Sequence, residues 1–285
     1  MSGMNMTREK KSLKIFAWLI LMLSICVMTI CGHRLWEKRQ IDRESNDSYE
    51  RLAGLVRHDG PPSFHTPGTA NRPEEEPEAD KAIYFPDMSI DFPALQAITP
   101  DASAWLYCPG TVIDYPVMLA ADYDYYLNHL PDGTCNANGS LFIDYNCAPD
   151  FSDELTIIYG HHMKSGRMFG TLAGYKRQTY FEQNPYMYLY TKQDNYRIDL
   201  VYGCVIGAGE WRERAFMFQE NLKSLLAYAA HNTTFISGAE YTEADKVIVL
   251  STCSYEFDGA RYVVIGVLRP EYDREKGFDS MFSNS

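Results

Sequence analysis

Hydrophobic and polar positions divide this chain into three regimes. The first is an unbroken uncharged run from Ile15 to Cys31. Its 17 residues sit at the short end of what crosses a bilayer as a helix. Residues 41–57 then show apolar positions at helical spacing (Tyr49, Leu52, Leu55, Val56), with Ser48 as a candidate cap, which predicts a short amphipathic helix. Residues 58–82 almost lack large apolar side chains and are rich in Pro, Gly and Glu, the pattern of a flexible linker. From about Ile83 the pattern changes to short β-like runs separated by turn residues. Strands are predicted near 104–108, 111–119, 140–145, 155–160, 186–191, 196–207, 246–252 and 261–268, with helical pieces near 122–129, 167–174 and 216–231. Eight short strands in about 200 residues predict a mainly β fold, one sheet closed into a barrel with helices in the connections.

The domain reading follows: a cytoplasmic tail over 1–14, a transmembrane anchor over 15–32, a helix and linker over 33–82, and a catalytic domain over 83–285. Charge supports the anchor. Residues 1–40 hold seven Lys/Arg against two Asp/Glu, whereas the rest hold 19 against 36. No A-x-A-like site follows the apolar run, so it reads as an uncleaved anchor. Basic residues dominate its N-terminal flank. The positive-inside rule therefore puts the N-terminus in the cytoplasm and the remainder outside the cell membrane. A net charge of −12 argues against nucleic acid as a partner.

The chemistry is concentrated late in the chain. Motifs for phosphate cradles, dinucleotide sites and zinc proteases are absent. The seven cysteines form no C-x-x-C pair, and no metal or cofactor is called for. Cys135 and Cys147 would be free to bridge in an oxidising compartment, or all cysteines would be unpaired. The strand VIVLSTC ends at Cys253, and SYEFDGA leads into a strand beginning at Arg261. A symmetric hairpin places Cys253 opposite Arg261, with Cβ atoms roughly 4.5–5.5 Å apart. A cation beside a thiol favours the nucleophilic thiolate, and a guanidinium can stabilise an oxyanion. His161, after LTIIYG, supplies the missing acid or base. Taken singly, Cys253 would be a small buried hydrophobe, Arg261 a salt-bridge residue and His161 a turn histidine; only the combination points to catalysis.

That combination resembles the sortase family, membrane-anchored cysteine transpeptidases of Gram-positive bacteria. LSTC at 250–253, the Arg opening the next strand and IYGH at 158–161 carry the resemblance, together with PGTVIDYPVM at 109–118, YYLNH at 125–129 and IIYGHHMKSGRMFGTL at 157–172. It covers about Asp101 to Arg269, and the histidine region and the helix at 216–231 look like class B. The resemblance implies Cys253 as nucleophile, His161 as acid/base and Arg261 as oxyanion or substrate clamp, with His162 structural. It implies Ser251, Thr252 and Leu127 as substrate-binding positions. It also implies the reaction: cleavage of a C-terminal sorting signal after Thr on a secreted protein, through a thioester, and transfer to a peptidoglycan-precursor amine. Two readings compete within cysteine acyl-transfer chemistry, a pilin-polymerising sortase and a cysteine peptidase using water. A third reading is a membrane-tethered binding module in which Cys253 has no role.

Overall fold

The computed structural model describes residues 3–58, 85–215, 220–254 and 256–271. Two compact units divide the chain, Met1–Asp47 and Ser48–Ser285. The first consists of most of helix α1 (Gly3–Ala53). Its large apolar side chains from Trp18 to Trp36, among them Leu23 and Met28, are exposed, which leaves a hydrophobic surface that water does not favour. Among the described residues α1 is the one helix long and apolar enough to cross a membrane. The separate helix expected at 41–57 is instead the C-terminal part of α1 up to Ala53, and Val56 and Arg57 are in a strand. Gly32 is the one residue in between that disfavours helix, and a single glycine costs only about 1 kcal/mol.

The second unit begins earlier than the sequence suggested. Leu52 is fully buried and Val56 nearly so, in the same core cluster as barrel residues. Strand β1 (Val56–His58) pairs antiparallel with β2 (Met88–Ile90), a two-stranded sheet that the sequence did not show. Helix α2 (Phe92–Ile98) follows, with Asp91 accepting from the Ala94 N–H as its N-cap. The compact unit that holds the barrel runs from Ser48. The linker read over 58–82 lies, after His58, outside the described residues.

All eight expected strands are present: β3 (Ala102–Tyr107), β4 (Asp114–Leu119), β5 (Leu141–Ile143), β6 (Leu155–Tyr159), β7 (Tyr186–Thr191), β8 (Asn195–Gly207), β9 (Val247–Cys253) and β10 (Ala260–Pro270). They close in the order β10-β8-β7-β3-β4-β5-β6-β9. Closure removes unpaired sheet edges. Two neighbouring pairs, β4–β5 and β6–β9, run parallel, and the others are antiparallel.

Alternation along the strands separates two cores. Leu106, Val117, Leu141, Ile158, Leu189, Ile198, Leu250 and Val264 belong to a cluster fed by every barrel strand, which is the interior. Trp105, Val249 and Val263 belong to the other cluster, with Leu52 of α1, Trp211 of α3 (Ala208–Ala215) and Leu225 of α4 (Glu220–Asn232). These side chains clothe the outer face. The helix expected at 216–231 is present over Glu220–Asn232, residues 216–219 lie outside the described set, and the helix over Ala208–Ala215 was not expected. Near 122–129 only a 3-10 turn forms (Tyr125–Leu127), and a longer 3-10 segment covers Phe169–Lys176.

Burial of Leu52 sets a test for the boundary. Leu52→Ala removes a fully enclosed side chain and should lower unfolding stability by about 2–5 kcal/mol in chemical denaturation. An unchanged midpoint would place the end of α1 outside the cooperative unit.

Candidate active site

The hairpin of β9 and β10 sets Cys253 directly opposite Arg261 in the ladder. Partners in a ladder share a face. One step inward, Thr252 pairs with Tyr262, an interior residue, so Cys253 and Arg261 project from the outer face. Cys253 is exposed and Arg261 half-buried. The guanidinium carbon of Arg261 lies 6.0 Å from the centroid of the Tyr159 ring, at the outer limit of a cation–π contact. Tyr159 is itself fixed from below, its hydroxyl donating to Asp144 at 3.0 Å.

His161 arrives by a different route. Strand β6 runs parallel beside β9, with Tyr159 opposite Ser251. Hydrogen bonds carry the alignment past the end of the strand. Gly160 N–H donates to Ser251 O at 3.2 Å, and the Thr252 hydroxyl donates to Gly160 O at 2.8 Å. His161 thus follows Gly160 alongside Cys253. Gly160 is required locally, because a methyl group there would collide with Leu141 and Phe169 in the barrel interior.

The imidazole of His161 is held by a backbone group. Its Nε2 lies 2.7 Å from the Leu127 carbonyl oxygen. A carbonyl only accepts, so Nε2 carries a proton, and in the neutral ring Nδ1 has the free lone pair. His162 points elsewhere, with Nδ1 donating to the carbonyl of Cys253 at 3.0 Å. It thereby contacts the backbone of the candidate nucleophile.

The three substrate-binding candidates occupy different settings. Ser251 lies on the Cys253 side of β9, is buried, and its hydroxyl has no hydrogen-bond partner among the described residues. Thr252 is buried on the interior side, and its hydroxyl serves Gly160. Leu127 is half-buried, and its carbonyl rather than its side chain meets His161.

The other cysteines of the barrel are set apart. Burial pushes the thiols of Cys108 and Cys147 up to about 11 and that of Cys204 up to about 12, which suppresses the thiolate. Cys135 is exposed, bridges His129 through its backbone, and forms no disulfide with Cys147. Among the described residues no group of three or more His, Cys, Asp or Glu is disposed to hold a metal ion.

Sequence reasoning missed a polar network behind the hairpin turn. Lys176, in the 3-10 segment, pairs with Glu256, donates to the Ser254 hydroxyl at 3.1 Å and sits 5.0 Å over the Tyr262 ring. The Ser254 hydroxyl also bonds Glu256. Lys176 thereby fastens the turn that joins Cys253 to Arg261. Burial raises the Glu256 pKa, but the Lys176 and Ser254 bonds outweigh it and hold the carboxyl down at about 2. A depressed carboxyl stabilises the fold above the ordinary carboxylate range and loses that contribution as pH falls towards its folded value. The wild-type protein should therefore lose melting temperature relative to Glu256→Gln between about pH 5 and pH 2. Parallel melting curves for the two proteins across that window would refute the network's role.

No family model matches the chain. Over 178 residues it is 32% identical to sortase B of Listeria monocytogenes, an alignment covering 61% of this chain and 72% of that protein. Over 256 residues it is 22% identical to sortase B of Staphylococcus aureus, covering 89% and 96% respectively. The crystal structure of Clostridium perfringens sortase B superposes with a TM-score of 0.59 at 26% identity, over 63% of this chain and 100% of that one.

Proposed function

This chain belongs to the sortase B family of cysteine transpeptidases, and on that premise we propose that Cys253, His161 and Arg261 are its catalytic residues. The observation that carries the assignment is the Cys253–Arg261 ladder pair with the Leu127-bound His161 beside it. In the first half-reaction the Cys253 thiolate attacks the Thr carbonyl carbon of a sorting signal. The C=O π pair moves to oxygen, and the Arg261 guanidinium stabilises that oxyanion. As the tetrahedral intermediate collapses, the peptide C–N bond breaks and His161 in its charged form gives the Nδ1 proton to the leaving amine. A thioester remains on Cys253. In the second half-reaction a primary amine attacks the thioester. Neutral His161 takes the amine proton on Nδ1, and the Cys253 thiolate departs. The Leu127 carbonyl keeps the Nε2 proton in place throughout, so a single nitrogen serves both halves. A covalent intermediate divides one difficult amide exchange into two easier steps.

The donors in this reading are secreted proteins with a C-terminal sorting motif of the Asn-Pro-x-Thr or Ser/Pro-Pro-x-Thr type, and the acceptor is a peptidoglycan-precursor amine. Helix α1 is the membrane anchor. The basic flank before Ile15 puts the N-terminus in the cytoplasm and the barrel on the outer side, where secreted donors emerge.

The test uses the full chain in detergent micelles with quenched peptides of both motif types, with and without an amine acceptor. Mass spectrometry should find an acyl adduct on Cys253 and none in Cys253→Ala. Arg261→Met should lower kcat by about 10²–10³-fold, the cost typical of losing an oxyanion donor. Turnover that survives in Cys253→Ala would sink the mechanism. Product yield indifferent to added amine would make the protein a peptidase.

A further inference from the structure

Tyr49 lies in the last turns of α1, within the same compact unit as the barrel. Its hydroxyl donates to the Gly139 carbonyl at 2.8 Å and approaches the Ser140 hydroxyl at 3.3 Å. Its ring packs edge-on against Tyr115 at 5.2 Å between centroids. Burial pushes its phenol pKa far above the usual value, so the group is a permanent donor.

Gly139 is not an ordinary turn residue. It has φ +59, the left-handed region that the Asn138-Gly139 dipeptide favours. A Cβ built there would lie 2.6 Å from Tyr126 O, 2.8 Å from Leu127 O and 3.0 Å from His161 Cδ2. The glycine backbone is therefore pressed against the edge of the His161 ring and against the carbonyl that binds His161 Nε2. Ser140 N–H donates to Tyr126 O at 2.8 Å, which knits the two segments together. Ser48 and Arg51 bond Asp132 at 3.0 and 2.5 Å, so the helix end grips the same loop at a second place.

From this chain of contacts we propose that Tyr49 is a positioning residue for His161: its hydroxyl fixes the Gly139 peptide, and that peptide and Leu127 O together hold the imidazole in one orientation. The inference rests on the reading of His161 as acid/base. It makes the end of α1 part of the catalytic apparatus, although Tyr49 touches no reacting atom.

The experiment compares full-chain wild type, Tyr49→Phe, Gly139→Ala and His161→Ala in micelles. Amine-dependent turnover of the sorting peptide is measured alongside ¹⁵N NMR of the labelled imidazoles, with His161 assigned by its loss in His161→Ala. Wild type should show the Nε2–H tautomer. Tyr49→Phe keeps the ring and loses only the hydroxyl. It should lower kcat by about tenfold with KM within about twofold, since small misplacements of a catalytic group cost rate rather than affinity. The His161 resonances should move towards a tautomer mixture. Gly139→Ala reads the same contact from the other side and should disturb both signals, which keeps the test sound if Tyr49→Phe folds poorly. Wild-type kcat and an unchanged His161 signature in Tyr49→Phe, with His161→Ala inactive, would overturn the inference and leave the acid/base reading standing. Lost activity with an unchanged signature also overturns it, since the role is then structural only. Full turnover in His161→Ala would remove the acid/base reading itself.

Discussion

The register of β9 against β10 is the constraint on which the site depends. Side-chain direction alternates along a strand, so a slip of one residue reverses every assignment. In the observed register Leu250, Thr252, Tyr262 and Val264 face inward, and Ser251, Cys253, Arg261 and Val263 face outward. The shifted alternative would send the sulfur into an apolar interior and the guanidinium with it, at a desolvation cost no partner there offsets. The inward residues are large and fully enclosed, so the packing that stabilises the barrel is also what presents the chemistry.

A second layer of control comes from backbone atoms. Leu127 O orients one histidine, Cys253 O engages the next, and Gly160 joins the two strands between them. Backbone carbonyls have no ionisable state, so they define imidazole tautomers without introducing competing titrations. The charged groups nearby are used differently. Lys176 and Glu256 neutralise one another at the turn, which keeps its geometry fixed while leaving Arg261 as the cation opposite the sulfur.

These roles differ in how they register in a sequence. The eight strands were legible because strands buried on both faces leave short, nearly continuous apolar runs bounded by turn residues, and the hairpin was legible because both strands and their turn are contiguous. The placement of Cys253 against Arg261 followed from turn length alone. The contact between Leu127 O and His161 was not legible, since it joins a peptide oxygen to a residue in a different segment and any side chain at 127 would offer the same oxygen. The same holds for Tyr49 and Gly139. Only the Asn-Gly dipeptide announced that position 139 is special, and it announced a turn rather than a neighbour of a catalytic ring. Leu52 lies on the expected helical stripe whereas Val56 lies in β1, and one amphipathic turn carries no address for the surface that covers it. The β1–β2 pairing escaped notice because three-residue strands leave almost no period.

The small β1–β2 sheet alters how the Pro- and Glu-rich stretch between its strands functions. His58 and Met88 are ladder partners, so the chain leaves the domain and re-enters it at the same point. That pairing, and not the number of residues between positions 58 and 88, therefore sets how far the barrel stands from the end of α1.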